Sequence, residues 1–251
     1  MQKAWDYLVY GLWNVWFYFL SIVGILFLFP FLLLFSAYEK WYPQFFWLAH
    51  TFWAPFVMYG MGFFPSVRLS EPFEKGKSYV LVANHTSMID IMLMFWVTKN
   101  PGVFVGKKEL VKLPIFGYFY KRVCIMVDRQ NIKSRKAVYA RAEKRLRQGL
   151  GICIFPEGLV PDPSEDLAPF KDGAFRMAID FQIPIVPISF VDCKRRFPFQ
   201  FSANYFKGNP GKLRAHVHPH IITKGMTLAD KEALKTQTYG IILNELKKEG
   251  A

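Results

Sequence analysis

From Tyr7 to Tyr38 no residue is charged, and 26 of the 32 positions are apolar. About 20 apolar residues in a helix cross the hydrocarbon core of a bilayer, so this run is long enough. Pro30 predicts a kink, or the end of the helix's first part. After Glu39-Lys40 a second uncharged stretch runs from Trp41 to Val67. It carries Pro43, His50, Pro55, Gly60, Gly62 and Pro65, which makes it the weaker spanning segment. Residues 1–67 are therefore expected to form a membrane-associated helical hairpin with its turn near Glu39-Lys40. Trp5, Trp13, Trp16, Trp41, Trp47 and Trp53 fall near the segment ends, as interfacial anchors would. A signal peptide fits poorly, because the run is too long and the bulky Phe35 stands three residues before Ala37. Crossing the bilayer and dipping into one leaflet both satisfy the pattern. A buried hairpin in a soluble protein fits less well, since soluble helices rarely lack charge for so long.

Beyond Arg68 the period changes. Ser78–Ala83 reads as a buried strand, and Ile89–Val97 as an apolar helix after it. Gly102–Gly106 and Val123–Val127 are short β-branched runs typical of strands. Ser134–Gln148 predicts a helix with Ser134 as N-cap and Gly149 beyond its end. Strands are expected at Gly151–Phe155 and Ile185–Phe190, with a helix at Gly173–Phe181 between them, an alternating strand at Leu213–Ile222 and a terminal helix at Leu228–Lys248. Strands alternating with helices predict an α/β fold over 68–251, a mixed, largely parallel sheet flanked by helices.

Charge separates the two parts. Lys and Arg total 32 against 19 Asp and Glu, and residues 1–67 contribute only Lys3, Asp6, Glu39 and Lys40, which cancel. The whole excess of +13 sits in the second part. Lys107–Arg147 alone holds thirteen cations against Glu109, Asp128 and Glu143. A second cluster includes Lys194, Arg195, Arg196, Lys207, Lys212 and Arg214. An uncharged head joined to a basic domain suits an anionic membrane surface, with the basic part on the cytoplasmic side of the inner (cytoplasmic) membrane. A nucleic-acid partner is not expected, because residues 129–147 interleave only Tyr139 among their cations.

The candidate chemistry starts at Asn84-His-Thr-Ser-Met-Ile-Asp90, directly after the first strand. A histidine suits general-base work at neutral pH, and a carboxylate on its other nitrogen fixes the tautomer and stabilises the imidazolium. On an ideal helix a spacing of five leaves the side chains roughly 140° apart. His85 and Asp90 can meet only if His85 lies in the loop and Asp90 in the first helical turn.

Four blocks stand in order: NHTSMID at 84–90, VDR at 127–129, FPEG at 155–158 and IPIVPISF at 183–190. Together they resemble the glycerolipid acyltransferase family, in particular bacterial 1-acyl-glycerol-3-phosphate acyltransferases. FKDGAF at 170–175 and the segment from Lys107 to Gly117 are also similar to that family. The resemblance implies that His85 deprotonates the sn-2 hydroxyl of 1-acyl-glycerol-3-phosphate (lysophosphatidic acid), which attacks an acyl thioester, with Asp90 orienting His85. It implies phosphatidic acid as product, acyl-CoA or acyl-carrier protein as donor, and neither metal nor cofactor. It further implies that Arg129, Glu157 and Gly158 bind the phosphorylated acceptor; Lys171 and Lys107 are candidate phosphate partners on charge and position.

One departure bears on the acceptor. The family usually continues FPEG with Thr-Arg-Ser, whereas this chain has Leu159-Val160-Pro161 and so lacks a bidentate phosphate clamp. Either Lys171 and Arg129 take over, or the acceptor is a lyso-amino-acid lipid such as lyso-ornithine lipid. His216, His218 and His220 alternate as metal ligands can, but alternate equally with Leu213, Ala215, Val217 and Ile221 as the polar side of a half-buried strand. Cys124, Cys153 and Cys193 show no paired spacing and stand in or beside apolar strands, where free cysteine packs as a small hydrophobe. A non-catalytic membrane scaffold would need the basic surface without the His85–Asp90 pair.

Overall fold

The computed structural model describes residues 2–127, 132–162, 164–199 and 208–250. Helix α1 spans Gln2–Ala37 and is long and apolar enough to cross a membrane by length and composition. It runs through Pro30, so the helix does not end there; the ring leaves the Leu26 carbonyl without its helical N–H. A 3-10 turn at Glu39–Trp41 reverses the chain where the polar pair predicts it. The return arm is α2 (Tyr42–Leu48), a π-helical turn at Ala49–Trp53, and α3 (Ala54–Gly60). Pro55 cannot donate back into the preceding turn, and the wider π turn before it absorbs that loss.

The two arms touch closely. A Cβ on Gly24 would lie 2.8 Å from Trp53 Cδ1, and one on Gly60 would lie 2.7 Å from Leu20 Cδ1. Trp16 donates to the Gly60 carbonyl at 2.9 Å and Trp53 to the Ser21 carbonyl at 3.1 Å. Trp13 and Trp53 thus pack between elements, whereas Trp5 and Trp47 are exposed.

The hairpin ends earlier than the sequence pattern suggests. Residues 63–67 already belong to β1 (Phe63–Leu69), an edge strand of the sheet. The other strands are β2 (Val80–Ala83), β3 (Gly102–Lys107), β4 (Ile125–Val127), β5 (Gly151–Ile154), β6 (Ile185–Phe190) and β7 (Gly211–Val217). Their order is β1-β7-β6-β2-β5-β3-β4. From β6 to β4 every pairing is parallel; β7 pairs antiparallel with β6, and β1 runs with β7. β2, β5 and β6 are buried at every position, which explains their richness in Val, Ile and Leu without polar alternation.

The helices after the hairpin are α4 (Ile89–Val97), α5 (Phe116–Val123), α6 (Ile132–Arg147), α7 (Gly173–Asp180), the single turn α8 (Cys193–Arg196) and α9 (Lys231–Glu249). Right-handed crossovers put α4 and α5 on the sheet face that meets the hairpin, and α6 and α7 on the other, where α9 joins α7. α5 takes Val123, the first residue of the expected strand at Val123–Val127, and Cys124 is its extended C-cap, so β4 starts at Ile125. Likewise α6 starts at Ile132, so Ser134 lies inside it and not at its cap. β7 stops at Val217; His218 is buried beyond it, bonded to Ser189 Oγ at 2.8 Å, and desolvation holds its pKa down to about 4. His216 meets Glu245 at 3.0 Å, so the three histidines do not form one polar row.

The apolar core is continuous from hairpin to sheet. Phe197, after α8, packs against the rings of Tyr10, Trp13, Phe17 and Phe63. Further along, Phe29 packs against Phe119 of α5, and the Tyr42 hydroxyl donates to the Gly102 carbonyl at 2.7 Å. Meanwhile Leu8, Leu12, Val15, Phe19, Ile22 and Phe27 stay exposed along the other side of α1. Much of the second cation cluster is paired internally. Asp192, 2 % exposed at its side chain, takes Arg195 at 2.7 Å and Arg214 at 2.8 Å.

Candidate active site

β2 ends at Ala83, and the chain turns through Asn84–Met88 into α4. Asn84 anchors this loop to β6: its amide donates to the Phe190 carbonyl at 3.0 Å and its carbonyl accepts the Phe190 N–H at 2.8 Å. His85 therefore stands in the loop and Asp90 in the first turn of α4, the arrangement that a five-residue spacing demands. His85 Nδ1 lies 3.0 Å from Asp90 Oδ2. The same oxygen accepts the backbone N–H groups of Thr86 at 2.7 Å and Ser87 at 2.8 Å.

Asp90 is fully buried, and its position within the first helical turn adds the favourable end of the helix dipole. A carboxylate on Nδ1 selects the tautomer with the proton there, which leaves the Nε2 lone pair outward. The His85 side chain is 20 % exposed, enough to meet a substrate. Phe155 stacks on its ring at 4.3 Å between centroids, with 19° between the planes. Phe155 and Asn84 stand inside the FPEG and NHTSMID blocks, but the blocks do not assign the stacking on His85 or the anchoring to β6.

Glu157 is turned into the protein. Its side chain is buried, with Oε1 accepting the His85 backbone N–H at 2.7 Å and Oε2 accepting the Ala168 N–H at 2.9 Å. Beside the acceptor-binding role expected of it, Glu157 thus holds two main-chain donors. Burial pushes the Glu157 carboxyl up to about 7, against the pull of those two N–H groups.

Gly158 follows with φ +73°, a left-handed conformation that glycine adopts without cost. A Cβ there would lie 2.8 Å from Lys171 Nζ, so the Lys171 side chain crosses directly over this glycine. The Lys171 backbone N–H donates to the Pro156 carbonyl at 2.9 Å. The structure thus brings Lys171 to the FPEG loop. Lys107 is the exposed last residue of β3, on the same carboxyl edge of the sheet as His85 but two strands away, about 10 Å at strand spacing. Arg129 lies outside the described residues. Leu159, in place of the family's threonine, is exposed.

None of the cysteines is poised for nucleophilic work. Burial pushes the Cys124 thiol up to about 12 and raises Cys153 and Cys193 well above the ordinary thiol range, Cys193 also lying beside Asp90.

The model of the Acyltransferase family matches residues 65–191, a span that contains the β2–α4 loop, FPEG and β6. Among curated proteins, the 1-acyl-sn-glycerol-3-phosphate acyltransferase beta of Homo sapiens is 33% identical over 184 residues, 70% of this chain and 62% of that one. A putative 1-acyl-sn-glycerol-3-phosphate acyltransferase, acl-2, of Caenorhabditis elegans is 34% identical over 173 residues, 67% of this chain and 59% of that one. This chain thus spans about three-fifths of the length of these relatives. Among solved structures, the 1-acyl-sn-glycerophosphate (LPA) acyltransferase PlsC of Thermotoga maritima superposes with a TM-score of 0.78 at 22% identity, covering 98% of each chain.

Proposed function

The chain belongs to the Acyltransferase family, and on that premise we propose that it transfers a fatty acyl group from a thioester to the sn-2 hydroxyl of 1-acyl-glycerol-3-phosphate, giving phosphatidic acid. The observation that carries this reading is the His85–Asp90 pair, 3.0 Å apart with the carboxylate fully buried in three hydrogen bonds. His85 Nε2 takes the hydroxyl proton as the oxygen attacks the thioester carbonyl. The tetrahedral intermediate collapses, the C–S bond breaks, and the imidazolium returns its proton to the departing thiolate. Asp90 stabilises the imidazolium in between, as an aspartate does in a hydrolase triad. No acyl-enzyme forms, and the chemistry asks for no cofactor.

Lys171 and Lys107 supply positive charge on the carboxyl edge for the acceptor phosphate, Arg129 is a further candidate by its place in the VDR block, and acyl-CoA or acyl-carrier protein, both anionic, suits the same basic face. The names of the curated relatives support lysophosphatidate as acceptor. Leu159-Val160 in place of Thr-Arg favours a second reading, a lyso-amino-acid lipid as acceptor with the same catalytic pair. The enzyme acts at the inner (cytoplasmic) membrane with the α/β domain in the cytoplasm. Because α1 is held to the α/β domain at both Tyr10, against Phe197, and Phe29, against Phe119 of α5, the hairpin embeds in one leaflet. An acyl-transfer assay of the purified chain, against lysophosphatidate and lyso-ornithine lipid with each donor, tests the reading. Efficient use of lysophosphatidate is expected; its rejection alongside use of the amino lipid reassigns the acceptor.

A further inference from the structure

The cations divide by what they touch. Those near Asp192 serve the fold itself, as Arg214 does by also pairing with Glu249 at 2.5 Å. Those between α5 and α6 line a cleft of about 340 Å³ at the hairpin turn. Lys121, Arg122, Arg141, Lys144 and Arg145 face a single carboxylate there, Glu39. Lys144 takes Glu39 at 2.6 Å, and the buried Arg145 donates to the Arg122 carbonyl at 3.2 Å. Lys121, Arg122 and Arg141 are exposed and have no carboxylate partner among the described residues. Phe35, Ala37 and Val123 add apolar wall beside them.

This cleft is not the acyl-transfer site. α6 runs back from the end of β4, so its last turns reach the sheet edge opposite His85. β3 begins at that same opposite edge, where Tyr42 bonds Gly102. β4 is also three strands from β2, about 14 Å.

We propose that the cleft is a headgroup site for an anionic phospholipid that is not the substrate. A phosphodiester keeps its negative charge throughout the neutral range, and guanidinium groups such as Arg122 and Arg141 bind its oxygens in a fork. The apolar walls accept the first methylenes of the acyl chains. Continuity supports a lipid as occupant: the exposed Phe31 and Leu34 of α1 lead along the membrane-facing side of the helix to Ala37 at the cleft. The proposal rests on the hairpin lying at a membrane and not on the identity of the acceptor.

The test uses the full chain in neutral detergent micelles, titrated with phosphatidylglycerol, with retained lipid counted by native mass spectrometry. The wild-type chain should retain one phosphatidylglycerol that the double variant Lys121→Ala/Arg141→Ala binds about tenfold more weakly or worse. The control Lys247→Ala/Lys248→Ala, which removes two exposed cations of α9, should bind as the wild type does. Acyl transfer in neutral micelles should be unchanged in both variants, which separates this site from the catalytic one. Equal retention by the cleft variant, or equal loss in the control, overturns the proposal. So does equal retention of phosphatidylcholine, and displacement of the lipid by equimolar inorganic phosphate would reassign the site to the free ion.

Discussion

Glu157 Oε1 accepts the backbone N–H of His85 at 2.7 Å, so the loop after β5 fixes the main chain of the loop after β2. Glu157→Gln must turn an N–H toward one of two backbone donors, since an amide offers only one acceptor oxygen. The catalytic rate should fall about tenfold or more with the acceptor KM little changed, a split that kinetics in mixed micelles can read.

The same residue predicts a pH dependence. Its folded pKa of about 7 lies above the ordinary 4.5, so the folded state holds the proton more tightly. The associated stability is present in full below pH 4.5 and is lost as pH rises through about 7, a change of about 3 kcal/mol. Thermal unfolding from pH 4.5 to 8 should show wild type losing ground to Glu157→Gln. Parallel curves would refute the linkage.

Asp90→Asn should leave the fold intact and lower turnover by ~100- to 10,000-fold, as should His85→Ala. The asparagine oxygen can still receive Thr86 and Ser87, but its neutral amide does not stabilise an imidazolium. Near-wild-type turnover in either variant would remove the general-base mechanism.

Gly158→Ala tests the position of Lys171. A side chain at φ +73° costs ~1–2 kcal/mol, and the new Cβ meets Lys171 Nζ. The variant should therefore mimic Lys171→Ala, which is expected to lower kcat/KM for a phosphorylated acceptor by ~10- to 150-fold. An effect of Gly158→Ala on stability alone would separate the two residues.

Phe197→Ala should cost about 3–5 kcal/mol, because the ring is 1% exposed and four aromatic partners lose their common contact. Denaturant unfolding of the detergent-solubilised chain measures it. Salt, by contrast, should extract little of the wild-type chain from membranes, because the exposed apolar side of α1 is indifferent to screening. Recovery of most of the chain in the high-salt supernatant would contradict the membrane reading.

What was legible in the sequence follows from burial. Ile89–Val97 and Ile185–Phe190 stand at the expected residues because elements enclosed on nearly all sides are predominantly apolar, Asp90 and Ser189 being the polar exceptions. β1 was hidden, since an edge strand inside an apolar head has no change of period to mark it. α5 was missed because FGYFYKRV mixes aromatics and cations with two glycine or β-branched positions, a weak helical signal that its packing against Phe29 overrides. At the site, the His85–Asp90 contact could be argued from the five-residue spacing once His85 was placed in the loop before the helix. The clasp of Glu157 on two main-chain N–H groups could not, because backbone donors carry no letter in a sequence.

The seam at Phe197 also sets an order of events during synthesis. Phe197 follows Ala37 by 160 residues, so α1 leaves the ribosome long before the ring that covers Trp13 and Phe17 exists. β1 likewise waits for β7, its hydrogen-bonded neighbour near the far end of the chain. Contacts of such long sequence separation close late and slowly. Through that interval the apolar helix must be sheltered by lipid, so a nascent chain kept from the bilayer should aggregate before its sheet can close.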